Sequence, residues 1–321
     1  MGTTVPTPTD DVTPNITVTD APVTDTPVTD TPVTDDVETA GPVRNAALSR
    51  LLALTEIGRT AEQTITYRAE VDPVFTIGPK VHGGSLQMVV AHAARLALTA
   101  LSPDADVEQI PVAISSDFLA APDAARIDLK VTLRKRGRTV TVLCVDAIQD
   151  GRMRVASSVT MVRPDTGESH HTAASVLDGV PAEPTSEGLA LDDSPIAQIN
   201  HLSPALDLVL DAASLPGLRG ETGEPLVRGW VKPKGADPDT DFAVLACDIS
   251  LPVVANLGLH GWAPTVQLTT YIRRHPAPGW LRFAATSLEV GPGMFEEDHL
   301  VVDSTGTIVA QSRQLALIPQ K

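Results

Sequence analysis

Cysteine is scarce. The chain has two, Cys144 and Cys247, each inside an apolar run. There is no CxxC and no Cys/His spacing of the zinc kind, so neither a disulfide framework nor a metal site is expected. Cations are in the minority: 24 Lys and Arg stand against 40 Asp and Glu, for a net charge of −16. Neutralising phosphates takes clustered cations, so non-specific nucleic-acid binding is excluded and an anionic membrane surface is disfavoured. No run approaches about 18 consecutive apolar residues, so no membrane-spanning helix is expected. No cationic segment followed by an apolar one opens the chain, so a secretory signal is not expected and the protein reads as cytoplasmic. GxGxxG and P-loop motifs are also missing, which leaves a dinucleotide or NTP site without support. No cofactor is expected.

What is there is a chain of 321 residues with 42% hydrophobic content. That length carries a prior of two domains. Residues 1–40 hold eight acids and no Lys or Arg, and they repeat: APVTD at 21–25, then TPVTD at 26–30 and 31–35. A five-residue period with a proline in each unit makes neither helix nor packed strand, and it lacks the apolar mass to offset ordering. Residues 1–43 are therefore expected to be a disordered acidic tail.

From Asn45 the pattern changes. A short helix is expected at 46–54 and β-structure at 63–78. His82-Gly83-Gly84-Ser85 then leads into LQMVVAHAARLALTAL, apolar at Leu86, Val89, Val90, Ala93, Leu96 and Ala97, a stripe broad enough to be buried. Strands follow at 111–120, 125–134, 138–148 and 153–163, with Gly137 and Asp150-Gly151 as hairpin turns. Residues 165–223, rich in Pro, Gly, Ser and acids, read as a linker with a short helix in the apolar patch 204–215. The first pattern then recurs: a strand at 225–233, a helix at about 239–251, and strands at 264–274, 279–290, 297–303 and 307–318. Two copies of one unit are implied, 44–164 and 224–321, each a helix followed by an antiparallel meander. This is an α+β layer arrangement in which the two units can pack as a pseudo-dimer.

Asp248 is the anomaly. It is the only charge in FAVLACDISLPVV (242–254). On that face a carboxylate must be hydrogen-bonded or shifted in pKa, unless it caps the helix or reaches solvent at its edge. Pro252 clashes with the carbonyl of residue 248, so the helix is expected to bend or end there. The first helix has no acid, which implies one site per pseudo-dimer. Along PTVQLTTYIRR (264–274), alternation puts Thr265, Gln267 and Thr269 on one face. On the last strand it groups Ala310, Ser312, Gln314 and Ala316. HGGS resembles an α/β-hydrolase oxyanion loop, but no GxSxG follows. Arg134-Lys135-Arg136 forms a basic hairpin, either a solvated turn or a phosphate contact.

The segments WAPTVQLTTYIRRHPAPGWLRF (262–283) and FEEDHLVVDSTGTIVAQSRQLALIP (295–319), with the HGG helix and the Asp248 helix, resemble the double-hotdog acyl-CoA thioesterases, the thioesterase II-like family and its actinobacterial relatives. The resemblance spans roughly 45–321. It implies a hotdog in each half, a long helix wrapped by an antiparallel sheet, and hydrolysis of an acyl-CoA thioester. It also implies a catalytic set of Asp248, Thr265 and Gln314, with Thr160 as the first-half counterpart of Gln314. Gly84 and Ser85 are then candidate oxyanion donors at a helix start, Gln267 a substrate-side contact, and Arg134, Lys135 and Arg136 contacts for the CoA phosphates. The other readings are an acyl-CoA-binding protein without turnover and a hotdog hydratase or dehydratase. The latter needs an Asp/His pair, and the next His after Asp248 is His260. The pseudo-dimer can stand alone or form a homo-oligomer.

Overall fold

The computed structural model describes residues 45–60, 63–102 and 108–319. The acidic tail expected over 1–43 lies outside them. In chain order the elements are α1 (Ala46–Leu51), β1 (Thr55–Thr60), β2 (Thr64–Glu70), a small hairpin of β3 (Thr76–Ile77) and β4 (Lys80–Val81), and α2 (Gly83–Leu101). Then come β5 (Ile110–Phe118), β6 (Arg126–Lys135), β7 (Thr141–Gln149), β8 (Arg152–Val162), β9 (Gly188–Ala190), β10 (Leu206–Asp211) and β11 (Leu226–Pro233). The chain finishes with α3 (Thr240–Ala246), β12 (Thr265–Ile272), β13 (Leu281–Thr286), β14 (Met294–Val302) and β15 (Ile308–Leu317). No helix among the described residues is long and apolar enough to cross a membrane.

All strands but β3 and β4 join one sheet in the order β1-β2-β6-β7-β8-β5-β12-β15-β14-β13-β11-β10-β9. Its pairings are antiparallel. The two halves meet where β5 pairs with β12, and the order reads alike outward from that seam: β5-β8-β7-β6-β2 on one side, β12-β15-β14-β13-β11 on the other. This is the double hotdog. The turns are built from residues that accept a positive φ. Asp150 and Gly151 lie at 53° and 71° in the β7–β8 hairpin, and Gly306 lies at 86° between β14 and β15.

The helices fill the inside of the sheet. α2 is buried almost all round over Gly84–Ala94, with alanines at 91, 93 and 94 that admit close neighbours. α3 runs antiparallel beside it, so the start of α2 meets the end of α3. At the opposite end of α3, Asp241 lies 2.8 Å from His92 Nδ1 and 2.7 Å from Arg95 Nη2 of α2. Gln87 of α2 ties the seam. Its Oε1 accepts from Thr270 Oγ1 at 2.6 Å, and its Nε2 donates to Ser116 Oγ and to the Leu268 carbonyl at 3.1 Å each.

Two expectations are corrected. The apolar patch 204–215 is not a helix: it is strand β10, paired with β11, followed by a single 3-10 turn at Ala212–Ser214. Its sequence LDLVLD alternates, and one side is buried. The segment read as a linker is therefore partly sheet. Its earlier stretch crosses the outer face of the second half, where Leu177 packs on Ala284 and Val302, and Trp230 Nε1 donates to the Pro181 carbonyl at 2.8 Å. The second helix ends at Ala246 rather than near 251, which decides where Asp248 sits.

Candidate active site

The short second helix follows from its last residues. Pro252 has no N–H, so nothing in the chain can bond the carbonyl of residue 248 in helical fashion. The carbonyls freed at this end are taken by side chains from elsewhere. Ser312 Oγ of β15 donates to the Cys247 carbonyl at 2.6 Å, and His82 Nε2 donates to the Asp248 carbonyl at 2.7 Å. His82 is also the N-cap of α2, where its Nδ1 accepts from the Ser85 N–H at 3.2 Å. With Nδ1 on the Ser85 N–H, the other ring nitrogen is the one that reaches the Asp248 carbonyl. His82 thus caps the start of one helix and the end of the other.

Asp248 stands in the turn after α3, its side chain 11% exposed. Its Oδ2 accepts from the Gly84 N–H at 2.7 Å, across the junction of the two halves. Burial pushes the carboxyl above the usual aspartate range, and His82 and the Gly84 amide pull partly back. The two glycines are steric requirements. A Cβ on Gly83 would lie 2.7 Å from Asp248 Oδ2, and one on Gly84 would lie 2.7 Å from the Leu245 carbonyl and 2.8 Å from Asp248 Cβ. Only backbone without side chains brings a helix start this close to the carboxylate.

The sheet supplies the rest. Thr265 Oγ1 donates to Gln314 Oε1 at 2.9 Å. Gln314 pairs with Glu297 of β14, which is buried with His299 two residues on. Glu297 Oε1 accepts from Ser250 Oγ at 2.8 Å and its Oε2 from the Val253 N–H at 3.0 Å. His299 Nε2 lies 2.9 Å from the same Ser250 hydroxyl. Burial pushes the Glu297 carboxyl up to about 7, with the charge of Asp248 adding to the rise and Gln314 opposing it. Burial holds His299 down at about 3, so its ring is neutral. Asp248 thus faces the glycine-rich start of α2, and Glu297 links it to the Gln314 amide and, beyond that, to the Thr265 hydroxyl. Such a set can bind and deprotonate a water. No group of side chains able to hold a metal ion occurs among the described residues.

The family model for the N-terminal domain of acyl-CoA thioesterases matches residues 70–163, and the model for the C-terminal domain matches 164–318. The chain belongs to the acyl-CoA thioesterase family. An uncharacterized protein of Mycobacterium tuberculosis is 38% identical over 269 residues, which cover 79% of this thioesterase and 91% of that protein. The solved structure of a proposed thioesterase II from Thermobifida fusca is 27% identical, covers 87% of this chain and 100% of that one, and has a TM-score of 0.72. A hot dog fold protein of unknown function from Alicyclobacillus acidocaldarius, 18% identical with a TM-score of 0.69 and coverage of 86% and 99%, shares the fold.

Not every residue singled out from the thioesterase sequence lies at this site. Gln267 does not share a face with Thr265. The β12–β15 register runs Thr265↔Ala316 and then Gln267↔Leu315, a β-bulge that places the extra residue at Val266. Thr265 therefore faces inward with Leu268 and Thr270, while Gln267 points outward and donates to Asp117 Oδ1 at 2.9 Å. Gln267→Ala is expected to leave kcat/KM within about twofold of wild type, as for a surface change away from the chemistry. Steady-state kinetics check it. The amides of Gly84 and Ser85, expected as oxyanion donors, are already engaged, the first with Asp248 and the second with His82. The hairpin of Arg134, Lys135 and Arg136 lies against the far end of α2, where Arg136 Nη1 donates to the Leu101 carbonyl. At 1.5 Å per residue that is roughly 25 Å from Gly84, so the structure does not bring these cations to Asp248.

The silent half is legible strand by strand. The step that takes Ser115 to its partner Thr269 also takes Pro111 to Thr265, bulge onto bulge. Continuing across the sheet, Val159 occupies the place of Gln314, Leu143 that of Glu297 and Val145 that of His299. Thr160, expected as the counterpart of Gln314, instead corresponds to Leu315 on the outer face. Glu297 and His299 themselves were missed from the sequence. Their signal was there: along FEEDHLVV, alternation puts Phe295, Glu297, His299 and Val301 on one face, two polar residues between apolar ones.

Proposed function

We propose that this protein hydrolyses acyl-CoA to a free carboxylic acid and CoA, with a water activated by Asp248 and held by Thr265 and Gln314. The observation that carries the reading is the Asp248 carboxylate, buried, raised in pKa and pinned against Gly84. A carboxylate so placed is a stronger base than one in water. Gln314 has its carbonyl oxygen engaged by Thr265 and its nitrogen turned toward Glu297, which leaves one of its two N–H groups to donate to a water oxygen. That leaves the lone pairs of the Thr265 hydroxyl, together with Asp248, to accept the water's protons.

The water oxygen attacks the thioester carbonyl as Asp248 takes its proton. The C–S bond breaks, its electron pair stays on sulfur, and the Asp248 proton passes to the leaving thiolate. Negative charge on the carbonyl oxygen needs a donor. With the Gly84 and Ser85 amides engaged, the N–H of Gly83 supports that role. It stands beside the carboxylate and makes no hydrogen bond among the described residues.

The test is release of free thiol from a panel of acyl-CoAs, from short to long. Turnover of at least one chain length, abolished in the Asp248→Asn variant, supports the reading. Binding of every acyl-CoA without thiol release sinks it in favour of a binding protein. The acyl-CoA-binding reading is disfavoured by the intact Asp/Thr/Gln set. The hydratase reading is disfavoured because His82 Nε2 donates to the Asp248 backbone carbonyl at 2.7 Å, while the Asp248 carboxylate oxygen lies 3.6 Å from that nitrogen and accepts instead from the Gly84 N–H.

A further inference from the structure

Glu297 and His299 are buried polar residues that the proposed chemistry does not use. Glu297 is 1% exposed and His299 3%. The fold itself does not ask for them, because the same two places in the first half are filled by Leu143 and Val145, both completely buried. Burying a carboxylate where leucine fits is unfavourable unless it serves something else. The partners of Glu297 indicate what that is. One oxygen receives the hydroxyl of Ser250 and the other the N–H of Val253, two and five residues after Asp248. The strand register sets it directly across from Gln314, whose amide favours its charged form.

We propose that Glu297 is a positioning residue for the hydrolysis, fixing both the orientation of the Gln314 amide and the path of the chain that follows Asp248. This rests on the reading of Asp248 and Gln314 given above. The amide of Gln314 has two ends. Thr265 holds its oxygen, and Glu297, which when ionised has acceptors and no donor to offer, holds the nitrogen side. A flipped Gln314 would present an oxygen to the water it must donate to. His299 completes the support. With the Ser250 proton given to Glu297, the Ser250 oxygen accepts from His299 Nε2–H. The other ring nitrogen, Nδ1, then carries only a lone pair, and it has no hydrogen-bond partner among the described residues.

The same geometry gives an acid limb. Protonation of Glu297 removes an acceptor and releases the Gln314 amide, so the rate falls as pH drops through about 7. The groups facing Glu297 are Asp248 from the turn after α3, whose charge raises it; neutral His299 on its own strand, 3.5 Å away; and the Ser250, Val253 and Gln314 donors. His82 stands on the far side of Asp248, 3.6 Å from its carboxylate, and its charge acts on His299.

The experiment is the pH dependence of kcat and KM for the full chain and for Glu297→Gln, with folding followed by thermal melting. The expected result is a kcat about thirtyfold lower, a KM within about threefold, and an acid limb moved to lower pH, because the second negative charge beside Asp248 is gone. A kcat within twofold of wild type overturns the proposal. So does a lower kcat with the acid limb in place, since that is a merely structural effect. Should Glu297→Gln fail to fold, Ser250→Ala removes one donor to the carboxylate and leaves the Val253 contact. It is expected to lower kcat about fivefold and to move the limb to higher pH, because the charged form of Glu297 loses a hydrogen bond. An unmoved limb overturns the proposal there too. Asp248→Asn run alongside loses turnover at every pH, whereas Glu297→Gln keeps a reduced rate with an altered profile, so failure of one reading is distinguishable from failure of the other.

Discussion

Asp248→Asn is expected to lower kcat about a thousandfold while KM changes by less than about threefold. General-base catalysis contributes roughly a hundredfold to ten-thousandfold, and the amide cannot take a proton. The substitution is nearly isosteric, so its oxygen still accepts from the Gly84 N–H. The protein is not expected to lose stability. The folded-state pKa of Asp248 is raised, so its ionisation opposes folding, and the opposition grows as pH rises from the unfolded value through the folded one. The neutral amide lacks that opposition. At pH 8 the variant should melt at or above the wild-type temperature. Thiol release and thermal melting of the same preparation check both halves. A folded variant with near-normal turnover would remove Asp248 from the chemistry.

Gly84→Ala is the second large effect. The new methyl would lie 2.7 Å from the Leu245 carbonyl and 2.8 Å from Asp248 Cβ, both held by backbone and neither the tip of a flexible side chain. Either α2 backs away from α3 or Asp248 is displaced. Overpacking of this kind costs about 1–3 kcal/mol. Displacing the carboxylate by about 1 Å costs on the order of a hundredfold in rate. Both are expected together: an unfolding free energy, read by chemical denaturation, lowered by that amount and a kcat at least a hundredfold down. Wild-type rate and unfolding free energy would show that the two helix ends do not meet as described.

The meanders were readable because their signals are local. Alternation in β6 to β8 and in β13 to β15, with Asp150-Gly151 and Gly306 at the corners, leaves few other pairings. α2 was readable because its apolar stripe continues without interruption for five turns. The misreadings have physical causes. β10 is six residues in a stretch dominated by Pro, Gly and acids, and its burial depends on β11, which comes 15 residues later. Pro252 announces that α3 must end, but where it ends also depends on His82 and Ser312, which take the carbonyls of Asp248 and Cys247, contacts with no local trace. The bulge at Val266 reverses the face of every residue before it, so alternation misplaced Gln267 relative to Thr265. Asp248 stood out because it is the only charge in an apolar run. Glu297 did not, because in FEEDHL it sits among other acids that face solvent.

The joining of both halves in one chain has a consequence for how the buried charges are distributed. In a dimer of identical subunits, symmetry would place each residue twice. A carboxylate at the position of Glu297 would stand at both ends of the paired helices, with the same desolvation at each. Here the two copies have separate codons. One end holds Pro111, Leu143, Val145 and Val159 and behaves as ordinary apolar interior; the other holds Thr265, Glu297, His299 and Gln314. The molecule thereby carries the unfavourable ionisable cluster once, and the apolar copy holds the shared sheet firm around it.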